Sequence, residues 1–110
     1  MIMKRENFEM FIDKEMIPLC LRILKVKGKS YSGDEDAFKN FKETAKEAGI
    51  TVEQSWLTQY LKHYNAIRSF LNDEYTDSEP IKLRIADAIN YLLMLSGILR
   101  EQGKIKGEMK

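Results

Sequence analysis

The segment IKLRIADAINYLLMLSGIL, residues 81–99, contains the longest apolar-rich run of the chain, Ile85 to Leu99. Asp87, Asn90 and Ser96 interrupt that run, and it falls short of the roughly 20 residues that a membrane span requires. It therefore reads as a buried helix. Ser78-Glu79-Pro80 supplies a cap, an early acid and a proline suited to the first turn, and Gly103 supplies a stop, so the helix should end near Gln102. Ile81, Ile85, Ala88, Ile89, Leu92, Leu93, Leu95, Ile98 and Leu99 cover more than one stripe. Such a helix is either central to its domain or packed on another subunit as well.

Three more helices are predicted upstream. Thr51-Val52-Glu53-Gln54 has the spacing of a reciprocal cap, followed by an apolar stripe of Val52, Trp56, Tyr60, Tyr64, Ile67 and Leu71. Ser32-Gly33-Asp34-Glu35 shows the same spacing ahead of Ala37, Phe38, Phe41, Ala45 and Ala48, with Gly49 placed to end that helix. The first helix covers about Asn7 to Lys27, with Phe8, Phe11, Ile12, Met16, Cys20, Ile23 and Leu24 at helical spacings. Pro18 should kink it near Glu15 or restart it with the proline in a first turn. Gly28 to Gly33 reads as a loop from its glycines and serines. The expectation is an all-α, four-helix domain over residues 1–103 and a flexible tail over 104–110.

Composition narrows the function. The chain has 110 residues, 18 Lys+Arg against 17 Asp+Glu and a formal charge of +1, which fits one domain and argues against a nucleic-acid partner. Six glycines and two prolines are too few for a sandwich or barrel of many short strands. The single cysteine, Cys20, excludes an internal disulfide and paired-cysteine metal binding. With no signal-peptide pattern in the first residues and no membrane span, a cytoplasmic location is expected.

The polar residues of the fourth helix carry the functional signal. Arg84, Asp87, Asn90 and Tyr91 share one face of an otherwise apolar element, so they must reach solvent, satisfy one another or line a ligand pocket. Lys62 and His63 could offer a cation and an imidazole to a phosphate, and Tyr31 could stack on a base. Glu9 and Asp13 lie four apart, as do Glu43 and Glu47, but no dense acidic motif for a magnesium ion is present. Nor is there a serine or cysteine nucleophile arrangement.

Lys29-Ser30-Tyr31-Ser32-Gly33, Ala37-Phe38-Lys39-Asn40-Phe41, Trp56 with Lys62-His63, Ser78-Glu79-Pro80-Ile81, and Arg84-Ile85-Ala86-Asp87-Ala88-Ile89-Asn90-Tyr91-Leu92-Leu93 together look like a known pattern. Over roughly Lys25 to Arg100 the chain resembles small all-helical phage and prophage proteins of the nucleotide-modification-associated family, which lie near the MazG-like nucleoside triphosphate pyrophosphohydrolases. The resemblance implies a MazG-like helical bundle with a nucleotide pocket. MazG-type catalysis uses two acidic pairs that hold magnesium. Here Asp87 matches the aspartate of the second pair, Arg84 stands where its glutamate would be, and Ser30 replaces an aspartate often found before the loop tyrosine.

The expected function is binding of a nucleotide or nucleotide-derived signal without hydrolysis, in a phage setting as a counter-defence sponge in the host bacterial cytoplasm. Arg84, Lys62 and His63 would contact phosphates, Tyr31 or Trp56 would stack on the base, and Asn40, Asp87 and Asn90 would orient polar groups. No cofactor is needed for this. One alternative is a magnesium-dependent nucleoside triphosphate pyrophosphohydrolase, with Asp87 catalytic and Glu9, Asp13, Glu79 and Asp87 as metal ligands; another is a helical adaptor that inhibits a host protein. Under every reading the girth of the apolar fourth helix favours a homo-oligomer.

Overall fold

A computed structural model describes residues 1–106, and every described regular element is helical. The elements are α1 (Arg5–Phe11), a π-helical turn (Ile12–Met16), α2 (Ile17–Ser32), α3 (Lys39–Ala48), α4 (Val52–Leu71) and α5 (Ile81–Glu101). α1, the π turn and α2 run on without a break, so the described residues form four helical rods and are all-α. None is long and apolar enough to cross a membrane. Pro18 falls in the first turn of α2. Its missing amide and bulky ring are incompatible with an undisturbed preceding turn, and the widened π-helical turn lies directly before it.

α5 is the central element, packed on α4 along one side and on α2 along another. Two apolar clusters lie against it. Met16, Cys20 and Ala86 form one, flanked by Phe11, Ile12, Leu19, Ile23 and Ile89. Phe41, Trp56 and Ile98 form the other, flanked by Phe38, Val52, Tyr60, Tyr91, Met94 and Leu95. Gly97 admits the Phe38 ring to α5, since a Cβ there would come 2.5 Å from the end of that ring. The anticipated second stripe of α5 is left uncovered, with Ile85, Leu92 and Leu93 exposed in the single chain.

Helix boundaries follow the local chemistry in some places and override it in others. The Thr51 hydroxyl accepts from the Gln54 amide at 3.1 Å and the Gln54 side chain accepts from the Thr51 amide at 2.9 Å, the reciprocal cap read from the sequence. Thr51→Ala should cost about 1 kcal/mol in chemical denaturation. Gly49 and Gly103 both take positive φ at helix ends, as their positions predict. Ser78, by contrast, does not cap α5, which starts after an extended Pro80 without a side-chain cap.

Two further expectations are corrected. Residues 28–32 are helical, and α2 ends at Gly33, whose φ of 76° stops it. Packing of α2 on α5 carries the helix through a glycine and two serines that locally favour a loop. α3 starts at Lys39, later than the Ser32–Glu35 spacing suggests. Ser32 still serves it, because its hydroxyl accepts from the Asn40 amide at 3.2 Å, while Asp36 accepts from the Phe38 amide at 3.0 Å. The start of the expected tail is also tied down: Lys104 and Ile105 donate to the Leu99 carbonyl, and Lys104 and Gln102 hold Glu53. Those two donors, Gln102 first, lower the Glu53 carboxyl pKa to about 2. Residues 107–110 of the tail lie outside the described part.

Candidate functional site

Two helices present the same spacing to a shared space. Leu24, Lys27, Gly28 and Tyr31 on α2 face Asp87, Asn90, Tyr91 and Met94 on α5, each set following the i, i+3, i+4, i+7 rhythm of one helical face. Ala37, Asn40 and Phe41 close one side and His63 of α4 closes another. The cavity, partly open to solvent, measures about 170 Å³. Of the residues anticipated for a site, Tyr31, Asn40, His63, Asp87 and Asn90 therefore meet here.

The polar end of the cavity is built around Asp87, which is only 4% exposed. Lys27 Nζ reaches its two oxygens at 3.2 and 3.3 Å from a half-exposed stem. His63 Nδ1 lies 4.0 Å from Asp87 Oδ2, beyond hydrogen-bond distance, and its ring rests against Tyr91 with centroids 4.7 Å apart. Asn90 is 2% exposed and donates through Nδ2 to the Cys20 carbonyl at 2.9 Å. Three buried polar side-chain atoms among the described residues have no partner: His63 Nδ1, Asn90 Oδ1 and Arg84 Nε. The first two belong to residues that line this cavity.

Burial pushes the His63 pKa below its ordinary 6.5; Arg84 and Lys27 act in the same direction, against Asp87 and Glu79. The folded chain thus binds fewer protons at His63 than the unfolded chain does. Stability should fall as pH drops through 6.5 toward the lower folded value and then level off. The urea midpoint measured between about pH 7.5 and 5.5 should show this slope, and His63→Gln should flatten it. Asp36 and Asp77 act separately, because their lowered pKa values remove stability only as pH falls through the ordinary carboxylate range and below.

Trp56, Lys62 and Arg84 do not reach the cavity. Trp56 is core: it stacks on Tyr60 at 4.9 Å and donates through Nε1 to the Tyr91 carbonyl at 2.6 Å. Lys62 and Arg84 line a separate shallow concavity with Asn65, Ser69, Tyr75 and Asp77. There the Arg84 guanidinium pairs with Asp77 and, at 3.4 Å, with Glu79, so two carboxylates already offset its charge. The polar face of α5 is thus divided, with Arg84 serving the α4–α5 connection and Asp87 and Asn90 serving the cavity.

Comparison with protein-family models, with curated proteins and with solved structures found no match. The proposed metal ligands do not converge: Glu9 pairs with Arg5, Asp13 with Lys14, Glu79 with Arg84 and Asp87 with Lys27. Among the described residues no three His, Cys, Asp or Glu side chains could hold a metal ion together. Among the described residues of the single chain, the several carboxylates that magnesium chemistry of the MazG type uses are not brought together.

Lys27 and Phe41 line the cavity as well, although the sequence alone does not single them out for a site. Lys27 is four residues before Tyr31, the helical spacing that would have identified it once the helix was continued through Gly28. Phe41 has only the pattern of an apolar helix residue in the sequence; it packs edge-on to Tyr91 at 6.1 Å and supplies part of the cavity wall.

Proposed function

We propose that this chain binds a nucleotide or nucleotide-derived small molecule in the cavity between α2, α3, α4 and α5, and holds it without turnover. The observation that carries the reading is Asn90 Oδ1, a buried acceptor with no partner on a residue lining a cavity walled by aromatic rings. Leaving such an acceptor unmet costs about 1–3 kcal/mol, and a ligand N–H would recover it. A flat ring with an N–H edge fits that demand, with Phe41, Tyr91 and Tyr31 offering apolar surface. The Ser32 hydroxyl and the Cys20 thiol are both engaged structurally, the thiol with the Ala86 carbonyl at 3.9 Å. Ser32 accepts from Asn40, and Cys20 lies buried behind Asn90 with its thiol pKa raised by burial, which disfavours the thiolate. The resemblance to phage nucleotide-associated proteins adds the proposal that the bound nucleotide is a signal withdrawn from the host cytoplasm.

Calorimetric titration with nucleosides, mononucleotides and cyclic nucleotides tests the reading. It predicts saturable binding of at least one compound, weakened by Asn90→Ala and unchanged by Arg84→Ala. Absence of binding across the panel overturns it. We also propose that a MazG-like bundle is completed by self-association, because Leu57, Leu61, Tyr64, Ile85 and Leu92 remain exposed in the single chain. Light scattering should then give a mass that is a multiple of 12.9 kDa, and a monomer at high concentration would contradict this.

A further inference from the structure

The cavity of about 170 Å³ can take a group the size of a base, but it is smaller than the roughly 300 Å³ at which whole-ligand sites begin. A groove of about 480 Å³ adjoins it and shares Leu24, Gly28, Ala37 and Met94 with it. Gly28 lies at this junction within α2. A Cβ built there meets nothing within 4 Å, and the residue does not take positive φ. Neither a turn nor close packing requires glycine at a place where glycine weakens a helix. Its effect is to keep the wall between cavity and groove low.

Charge is concentrated along the same wall. α2 carries Arg22, Lys25, Lys27 and Lys29 and no acid, on a chain whose formal charge is +1. Only Lys29 sits in the last turn, where the helix dipole alone would favour a cation. Lys25 and Lys29 line the groove one turn apart. Its acid, Asp34, is largely exposed and 3.9 Å from Lys29, a pair that water screens.

Building on the nucleotide-binding reading, we propose that the ligand is a nucleoside phosphate whose base occupies the cavity and whose phosphate crosses Gly28 into the groove, between Lys25 and Lys29. This assigns the phosphate to α2 and not to Arg84 and Lys62. Arg84 is already met by Asp77 and Glu79, whereas Lys25 has no ion-pair partner among the described residues. The apolar floor from Leu24, Phe38 and Leu93 would underlie the sugar.

The test titrates the four ribonucleosides, their 5′-mono- and triphosphates and their cyclic monophosphates into the full chain. At least one phosphate ester should bind about tenfold or more tightly than its nucleoside, the gain expected from charge-assisted contacts. That gain should shrink with added salt and vanish in Lys25→Gln/Lys29→Gln, two exposed changes that leave the cavity intact. Gly28→Ala should keep the helix and narrow the passage, and Gly28→Leu should close it, so phosphate-ester affinity should fall in that order while circular dichroism stays that of wild type. Equal affinity for nucleoside and phosphate ester overturns this inference alone, as does a gain that survives the double lysine change. Failure of every compound to bind overturns it together with the nucleotide-binding reading.

Discussion

Trp56→Ala should lower the stability of the chain by about 3–5 kcal/mol, the usual cost of emptying a large aromatic site in a core. The indole is 7% exposed, stacks on Tyr60 and packs in the cluster with Phe41 and Ile98. It also donates to the Tyr91 carbonyl, so the change removes a bond between α4 and α5 along with the volume. A thermal scan should show the melting temperature falling by more than about 10 °C for a domain of this size. Trp56→Phe retains most of the packing and loses the indole donor, at about 1 kcal/mol. Ligand affinity should be preserved in Trp56→Phe, because the ring lies behind the cavity and not in it.

Asn90→Ala should weaken ligand binding by about 10- to 100-fold, the range set by losing a buried acceptor matched to a ligand donor. The same change removes the bond to the Cys20 carbonyl and should cost about 1–2 kcal/mol of stability as well. Binding and folding must therefore be measured separately, with affinity determined well below the melting transition. Arg84→Ala is the informative contrast. It leaves Asp77 and Glu79 without their guanidinium and should destabilise the entry into α5, yet it lies outside the cavity and should leave affinity as it was.

The architecture was legible where short-range chemistry and apolar period agreed. Thr51 and Gln54 announced the start of α4, Gly49 and Gly103 marked two helix ends, and the interrupted apolar run of α5 identified the central helix. Around Gly28 local preference favours a loop, whereas packing against α5 holds a helix; ending the helix at Lys27 separated it from Gly28 and Tyr31 and concealed a common face. The polar face of α5 was recognised as a unit, but its division was not. A three-residue step from Arg84 to Asp87 turns the side chain from the connection before α5 to the cavity, and only the positions of Asp77 and Lys27 decide which partner each meets. Trp56 illustrates a different limit, since an aromatic at helical spacing fits a core and a stacking platform equally until its neighbours are known.

The proposed nucleotide site occupies the space between α2 and α5 and is organised by Asn90. Proton–nitrogen correlation spectra, recorded while a binding nucleotide is titrated into the nitrogen-labelled chain, test this assignment. The side-chain amide of Asn90 and the backbone amides of Lys27, Gly28 and Tyr31 should shift together and saturate at one ligand per chain, with the signals of Arg84 and Lys62 unmoved. Shifts centred on Arg84 and Lys62, or an unchanged Asn90 side chain at saturation, would rule out this site.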